Sequence, residues 1–276
     1  MRHEKLMIQT KQTEAELTLY LLDNFPIMDM DRIRPTVLIC PGGGYSFLSE
    51  RETEAIAIQM NALGFHAAVL RYHVAPYRFP TALAETACAL AHLRKNAAEY
   101  GVNPEKIVVA GFSAGGHLAA SLGVFWDKEW LVEYTGCTPE EVKPNGMVLS
   151  YPVITSGEYA HRGSFDNLLG EEASEELLEF VSLEKQVTGA VPPTFIWHTI
   201  GDQLVPVENT MLFASAMRSA GVKFEMHIYP QGEHGLALST EETASMSIER
   251  YSAAHRVRPE CAAWVGMAGR FIKEEI

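Results

Sequence analysis

The sequence predicts an α/β fold, a mostly parallel twisted sheet of about eight strands flanked by helices. Two observations carry this. Short β-branched runs alternate with helical patterns along the chain. One such run leads straight through Gly111-Phe112-Ser113-Ala114-Gly115 into a helical pattern. Segment 152–193 then interrupts the alternation, too long for a plain crossover. It reads as a small lid inserted within a single domain spanning 1–276.

The elements follow in order. Runs at 5–10 and 16–22 flank the polar TKQTEA turn and predict an N-terminal hairpin. Strands are expected at 36–40, 66–72, 106–110, 147–151, 194–199 and 224–229. Helices are expected at 50–63, 81–100, 114–124, 207–220 and 259–276, with Gly101 as the C-cap of the second. The lid holds Gly157, Gly163 and Gly170 and the acidic helical stretch EEASEELLEF. In sheets of this kind ligands bind outside the carboxyl ends of the strands, so chemistry is sought in the strand-to-helix loops.

Composition narrows the partners. The chain has 276 residues, 47% hydrophobic and 21% charged, with a formal net charge of −13. An acidic surface without a basic cluster argues against nucleic acid and anionic membranes. The N-terminus lacks the apolar core of a signal peptide, and no stretch approaches the length of a membrane span, so no membrane association is expected. Cys40, Cys88, Cys137 and Cys261 form no CxxC pair and no metal-ligand spacing, and Cys40 and Cys88 read as buried free thiols. A cytoplasmic location is the expectation.

The Gly-x-Ser-x-Gly turn puts a serine at a tight apex whose flanking positions have no room for a Cβ. About 0.1 such matches arise by chance in a chain this long, so the strand before and the helix after are what single out Ser113 as a nucleophile. Upstream, the strand-like VLIC runs into Pro41-Gly42-Gly43-Gly44-Tyr45. No GK[ST] follows, so this is not a phosphate loop. Bare backbone there can offer N–H donors to a developing oxyanion, from Gly43 and Gly44 together with Ala114 after the nucleophile. The acid and base are then sought after the later strands. Asp202 follows 194–199, and His234 follows 224–229 between Glu233 and Gly235. His234 would take and return the serine proton, and Asp202 would hold its tautomer. Glu208 and Glu233 compete weakly as acids, and His117 and His198 read as satisfied structural side chains. Tyr45, Tyr72, Trp126 and His161, with Phe47, Tyr77 and Trp130, lie in loops where aromatic rings suit a pocket lining and plain core or lid packing equally, and the first four are taken as substrate-binding.

The segments CPGGGYSFLS, YHVAPYRFPTAL, GFSAGGHLAA, YPVIT, HRGSFDNLLG, PPTFIWHTIGDQLVP and EHGL resemble the small carbohydrate-esterase-like branch of the α/β hydrolases. That branch is related to bacterial acetyl-xylan esterases and to the hormone-sensitive-lipase group, and the resemblance runs over about residues 15–275. It departs from the wider lipase group where Pro41 replaces a loop-bracing histidine, so the glycine loop must be supported otherwise. The resemblance implies hydrolysis of short acyl esters, acetyl groups on sugar hydroxyls foremost, with a small acylated carbohydrate as partner. No metal or organic cofactor is expected. An amide hydrolase of formamidase or peptidase type would use the same triad, and a non-catalytic binding protein is the alternative from another class. A homodimer is carried only as an open possibility, since nothing in the sequence bears on it.

Overall fold

The computed structural model describes residues 1–244 and 256–276. Among these, eight strands form one sheet: β1 (Arg2–Gln9), β2 (Glu14–Leu21), β3 (Arg34–Cys40), β4 (His66–Arg71), β5 (Val102–Phe112), β6 (Gly146–Ser150), β7 (Thr194–Thr199) and β8 (Phe224–Tyr229). Their spatial order is β1-β2-β4-β3-β5-β6-β7-β8. The expected hairpin is there, with β1 and β2 antiparallel, and β2 also runs antiparallel to β4. From β4 onward every neighbouring pair is parallel.

The helices are α1 (Glu54–Ala62), α2 (Thr81–Lys95), α3 (Ala97–Tyr100), α4 (Ala114–Phe125), α5 (Glu129–Thr135), α6 (Pro139–Val142), α7 (Arg162–Leu169), α8 (Glu175–Phe180), α9 (Glu208–Ser219), α10 (Pro259–Ala262) and α11 (Trp264–Glu274). Three expected helices are broken. The first begins as a 3-10 turn at Glu50–Glu52, and the last pauses at Ala263. The third break falls at Asn96, whose side-chain amide donates to the His92 carbonyl at 2.8 Å and competes with the helical ladder. Helices α5, α6 and α7 lie outside the expected set. Yet α6 opens with a legible capping box: Thr138 Oγ1 accepts from the Glu141 amide, and Glu141 Oε2 accepts from the Thr138 amide.

Side-chain alternation along the strands splits the core into two layers. Leu38, Cys40, Ala68 and Leu70 face Leu83 and Leu90 of α2 and Leu118 and Leu122 of α4. Val37, Ile39, Ala67 and Val69 face Ile56 and Met60 of α1 and Trp264 and Phe271 of α11. Segment 152–193 folds into α7, α8 and a 3-10 turn, and Val153, Phe165 and Val181 build a small cluster there with Val205. Cys40 and Cys88 are buried free thiols, as expected.

The connection order places the chemistry. From β3 the chain moves to one side for β4, then returns to the other side for β5. The loops after β3 and β5 therefore leave a shared carboxyl edge in opposite directions and open a crevice between them. Cys40 at the end of β3 pairs in register with Gly111 of β5, so the glycine loop lies beside Ser113. The loops after β7 and β8 reach the same edge two and three strands beyond β5.

Candidate active site

Ser113 sits between β5 and α4 with φ 55° and ψ −121°, a backbone conformation that a non-glycine residue adopts only under constraint. The constraint is visible. Its amide donates to the Ser150 carbonyl, and its carbonyl accepts from the amides of His117 and Val153. Gly115 is required by close approach, because a Cβ there would lie 2.1 Å from the Cys40 carbonyl oxygen and 2.3 Å from that of Pro41. Both obstacles are backbone. We expect Gly115→Ala to cost about 3 kcal/mol or more, measured as a lower urea midpoint at unchanged m-value. An unchanged midpoint would refute this account of the elbow packing.

The three residues expected to converge do so. His234 Nε2 lies 2.7 Å from Ser113 Oγ, and His234 Nδ1 lies 2.6 Å from Asp202 Oδ2. A carboxylate only accepts, so Nδ1 carries the proton and Nε2 is left as an acceptor for the serine hydroxyl. Asp202 is buried and fully engaged. Its Oδ1 accepts from the amides of Leu204 and Val205, both at 2.9 Å, and its Oδ2 also accepts from His198 Nε2 at 3.2 Å. Burial pushes the Asp202 carboxyl up, but the hydrogen bonds from His198 and His234 outweigh it and hold the group well below its ordinary value. Asp202 thus stays an anion.

His198 is buried with both ring nitrogens engaged, and it touches the site. Its Nε2 faces two acceptors, Asp202 and the Val205 carbonyl, while Nδ1 accepts from Thr210 Oγ1 at 2.8 Å. His117 is interior, between the Tyr45 hydroxyl and the Val181 carbonyl.

The glycine loop turns over Ser113, with Gly43 at φ 125° and Gly44 at φ 61°. Among the described residues, the amides of Gly43, Gly44 and Ala114 donate to no protein acceptor. They are therefore available to an oxyanion. The support that Pro41 cannot supply comes from elsewhere. The Tyr72 hydroxyl donates to the Pro41 carbonyl at 2.6 Å, Glu52 Oε2 accepts from the Gly42 amide at 2.8 Å, and Asn167 Nδ2 donates to the Gly44 carbonyl at 2.9 Å. The last bond ties segment 152–193 to the loop.

A cavity of about 590 Å³ opens over these groups, lined by Gly43, Gly44, Ser113 and His234 and, from segment 152–193, by His161 and Asn167. Of the four residues taken as substrate-binding, only His161 lines it. Burial and then the nearby His234 lower the pKa of its imidazole, so it faces the cavity as a neutral ring, with Nδ1 bonded to Ser164 Oγ. Tyr45, Tyr72 and Trp126 do not belong to the lining. The two tyrosines are 2% exposed because their hydroxyls find partners in the interior, His117 and the Pro41 carbonyl. Trp126 lies past the far end of α4, where its indole donates to the Ala190 carbonyl and Lys143 sits over its ring. Phe47 does line the cavity, while Trp130 packs against Phe79, Phe125 and Phe180.

Sequence reasoning missed Glu52, Tyr151 and Arg51. Glu52 reads as one acid among several in SERETEA, and Tyr151 as the end of a strand. Their roles depend on partners far along the chain.

A mostly parallel sheet with a strained serine turn, a glycine loop and hydrogen-bonded Ser, His and Asp side chains on one edge defines an α/β hydrolase. The chain belongs to the BD-FAE family, whose model matches residues 22–217. It is 40% identical to endo-1,4-beta-xylanase B of Butyrivibrio fibrisolvens over 217 residues, covering 76% of this chain and 33% of that protein. It is 33% identical to an acetylxylan esterase of Xylanibacter ruminicola over 211 residues, covering 72% of this chain and 40% of that one. The chain thus matches well under half the length of either relative. An acetyl ester-xyloside bifunctional hydrolase from Caldicellulosiruptor lactoaceticus superposes with a TM-score of 0.82 at 33% identity, covering 99% of this chain and 97% of the other. Among the described residues no helix is long and apolar enough to cross a membrane.

Proposed function

We propose that this chain is a serine carboxylesterase that removes short acyl groups, acetyl foremost, from carbohydrate hydroxyls such as those of xylo-oligosaccharides. The observation that carries the reading is the pair of hydrogen bonds from Ser113 through His234 to Asp202. In the proposed cycle Ser113 Oγ attacks the ester carbonyl while His234 Nε2 takes its proton. Gly43, Gly44 and Ala114 stabilise the tetrahedral oxyanion. His234 then protonates the departing sugar hydroxyl, leaving an acyl-serine. Water enters, gives its proton to His234, and releases the acid and the free serine. Asp202 holds the imidazole in the needed tautomer and balances its positive charge when protonated. The sugar assignment is supported by the xylan-related relatives and by the polar side chains of His161 and Asn167, which line the cavity.

A substrate panel tests the reading. Acetylated xylo- and manno-oligosaccharides should be deacetylated faster than aryl formamides are cleaved, and the reverse order would move the assignment to amide chemistry. The inserted segment is short, which argues against a long acyl tunnel. We expect p-nitrophenyl acetate to turn over faster than p-nitrophenyl octanoate, and the opposite ranking would contradict the short-acyl assignment.

A further inference from the structure

The turn that follows the glycine loop carries a buried carboxylate that the reaction itself does not use. Glu52 is 2% exposed, and its two oxygens serve two different loops. Oε2 accepts from the Gly42 amide at 2.8 Å. Oε1 accepts from the Tyr151 hydroxyl at 2.8 Å, and that hydroxyl in turn accepts from the Ala237 amide at 2.8 Å, three residues beyond His234. The Tyr151 ring meets the His234 ring edge-on at 5.1 Å. The neighbouring Arg51 reaches the same loop, with Nη1 donating to the Gly235 carbonyl at 3.3 Å. Gly42 is fitted to this arrangement, because a Cβ on it would stand 2.8 Å from Glu52 Oε2 and 2.7 Å from the Phe112 carbonyl oxygen.

Burying a carboxylate is costly unless its oxygens are satisfied. Here each oxygen has one strong donor, and the two donors belong to the glycine loop and, through Tyr151, to the histidine loop. We propose that Glu52 is a positioning residue that locks the oxyanion-binding glycine loop to the loop carrying His234, so that the donors and the base keep one mutual geometry. This rests on the esterase reading above. The two loops leave different strands and carry different groups of the proposed reaction, so a shared anchor fixes the distance between them. A bridge of this kind should affect the transition state more than substrate binding, since the oxyanion and the protonated imidazole arise together only there.

Glu52→Gln is the direct test. One amide oxygen cannot accept from both donors, and the NH₂ end must face one of them. For p-nitrophenyl acetate we expect kcat to fall about 100-fold with KM within about twofold of wild type. A purely structural role would lower the melting temperature without splitting kcat from KM in this way. The second readout needs no activity. Amide hydrogen exchange should rise in peptides covering both 41–45 and 233–238, while β5 stays unchanged. A kcat within twofold of wild type, or exchange raised in neither or only one of the two loops, overturns the proposal. If Glu52→Gln does not fold, Tyr151→Phe carries the test. It keeps the Gly42 bond and cuts the link to the histidine loop, so only 233–238 should loosen and kcat should still fall, and unchanged exchange there overturns the bridge. A wild-type protein that hydrolyses no ester would instead sink the esterase reading, and the exchange measurement alone would then decide whether Glu52 couples the loops.

Discussion

Ser113→Ala is expected to lower kcat for p-nitrophenyl acetate by about a millionfold, leaving the melting temperature close to that of wild type. The size follows from what the hydroxyl does in the proposed cycle. Among the described residues it is the hydroxyl that His234 Nε2 meets, at 2.7 Å, and its loss removes the nucleophile that the proposed cycle requires. The fold should survive because the elbow is held through backbone, by the Ser113 amide on Ser150 and its carbonyl under His117 and Val153. Alanine keeps all three bonds. A fluorophosphonate probe should label the wild-type protein at Ser113 and leave the variant unlabelled. A variant that hydrolyses the ester at the wild-type rate would show that the nucleophile lies elsewhere.

Asp202→Asn should lower kcat by about 10⁴-fold with the fold again retained. The reason is local to this site. Asp202 accepts four hydrogen bonds, two at each oxygen, from the Leu204 and Val205 amides and from His234 and His198. An asparagine must turn its NH₂ toward one of these pairs. Facing the amides it would set donor against donor twice, so the favoured placement puts NH₂ toward the imidazoles. His234 Nδ1 must then accept, which moves its proton to Nε2 and leaves no base for Ser113. The pH–rate profile and the single-turnover acylation rate check this directly. Wild-type acylation in the asparagine variant would mean that Asp202 does not set the tautomer.

How far the pattern of residues reaches is clear from particular elements. The strands 194–199 and 224–229 are legible to the residue, because the largely apolar TFIWHT and the alternating FEMHIY are short-range signals bounded by turn residues. The elbow is legible for the same reason, with strand, turn and helix contiguous in fifteen residues, KIVVAGFSAGGHLAA. Asp202 and His234 could be placed because the order of strands dictates which loops share the carboxyl edge. The aromatic lining failed at Tyr45, Tyr72 and Trp126. Aromatic residues in loops look alike whether they face a cavity or the interior, and the partner of each hydroxyl or indole decides which.

Local pattern thus predicts the mostly parallel sheet and singles out the serine apex, the glycine loop, and the candidate acid and base that follow the last two strands. Each is written within a few neighbouring residues or in their order. Only the folded chain decides which backbone donors remain available, which side chains line the cavity, and what braces the loop that lacks a histidine. Glu52 and Tyr151 are 99 residues apart, and no periodicity or motif records that they meet. Their partnership comes from β3, β5 and β6 lying side by side, so that loops distant in sequence share one buried hydrogen-bond network.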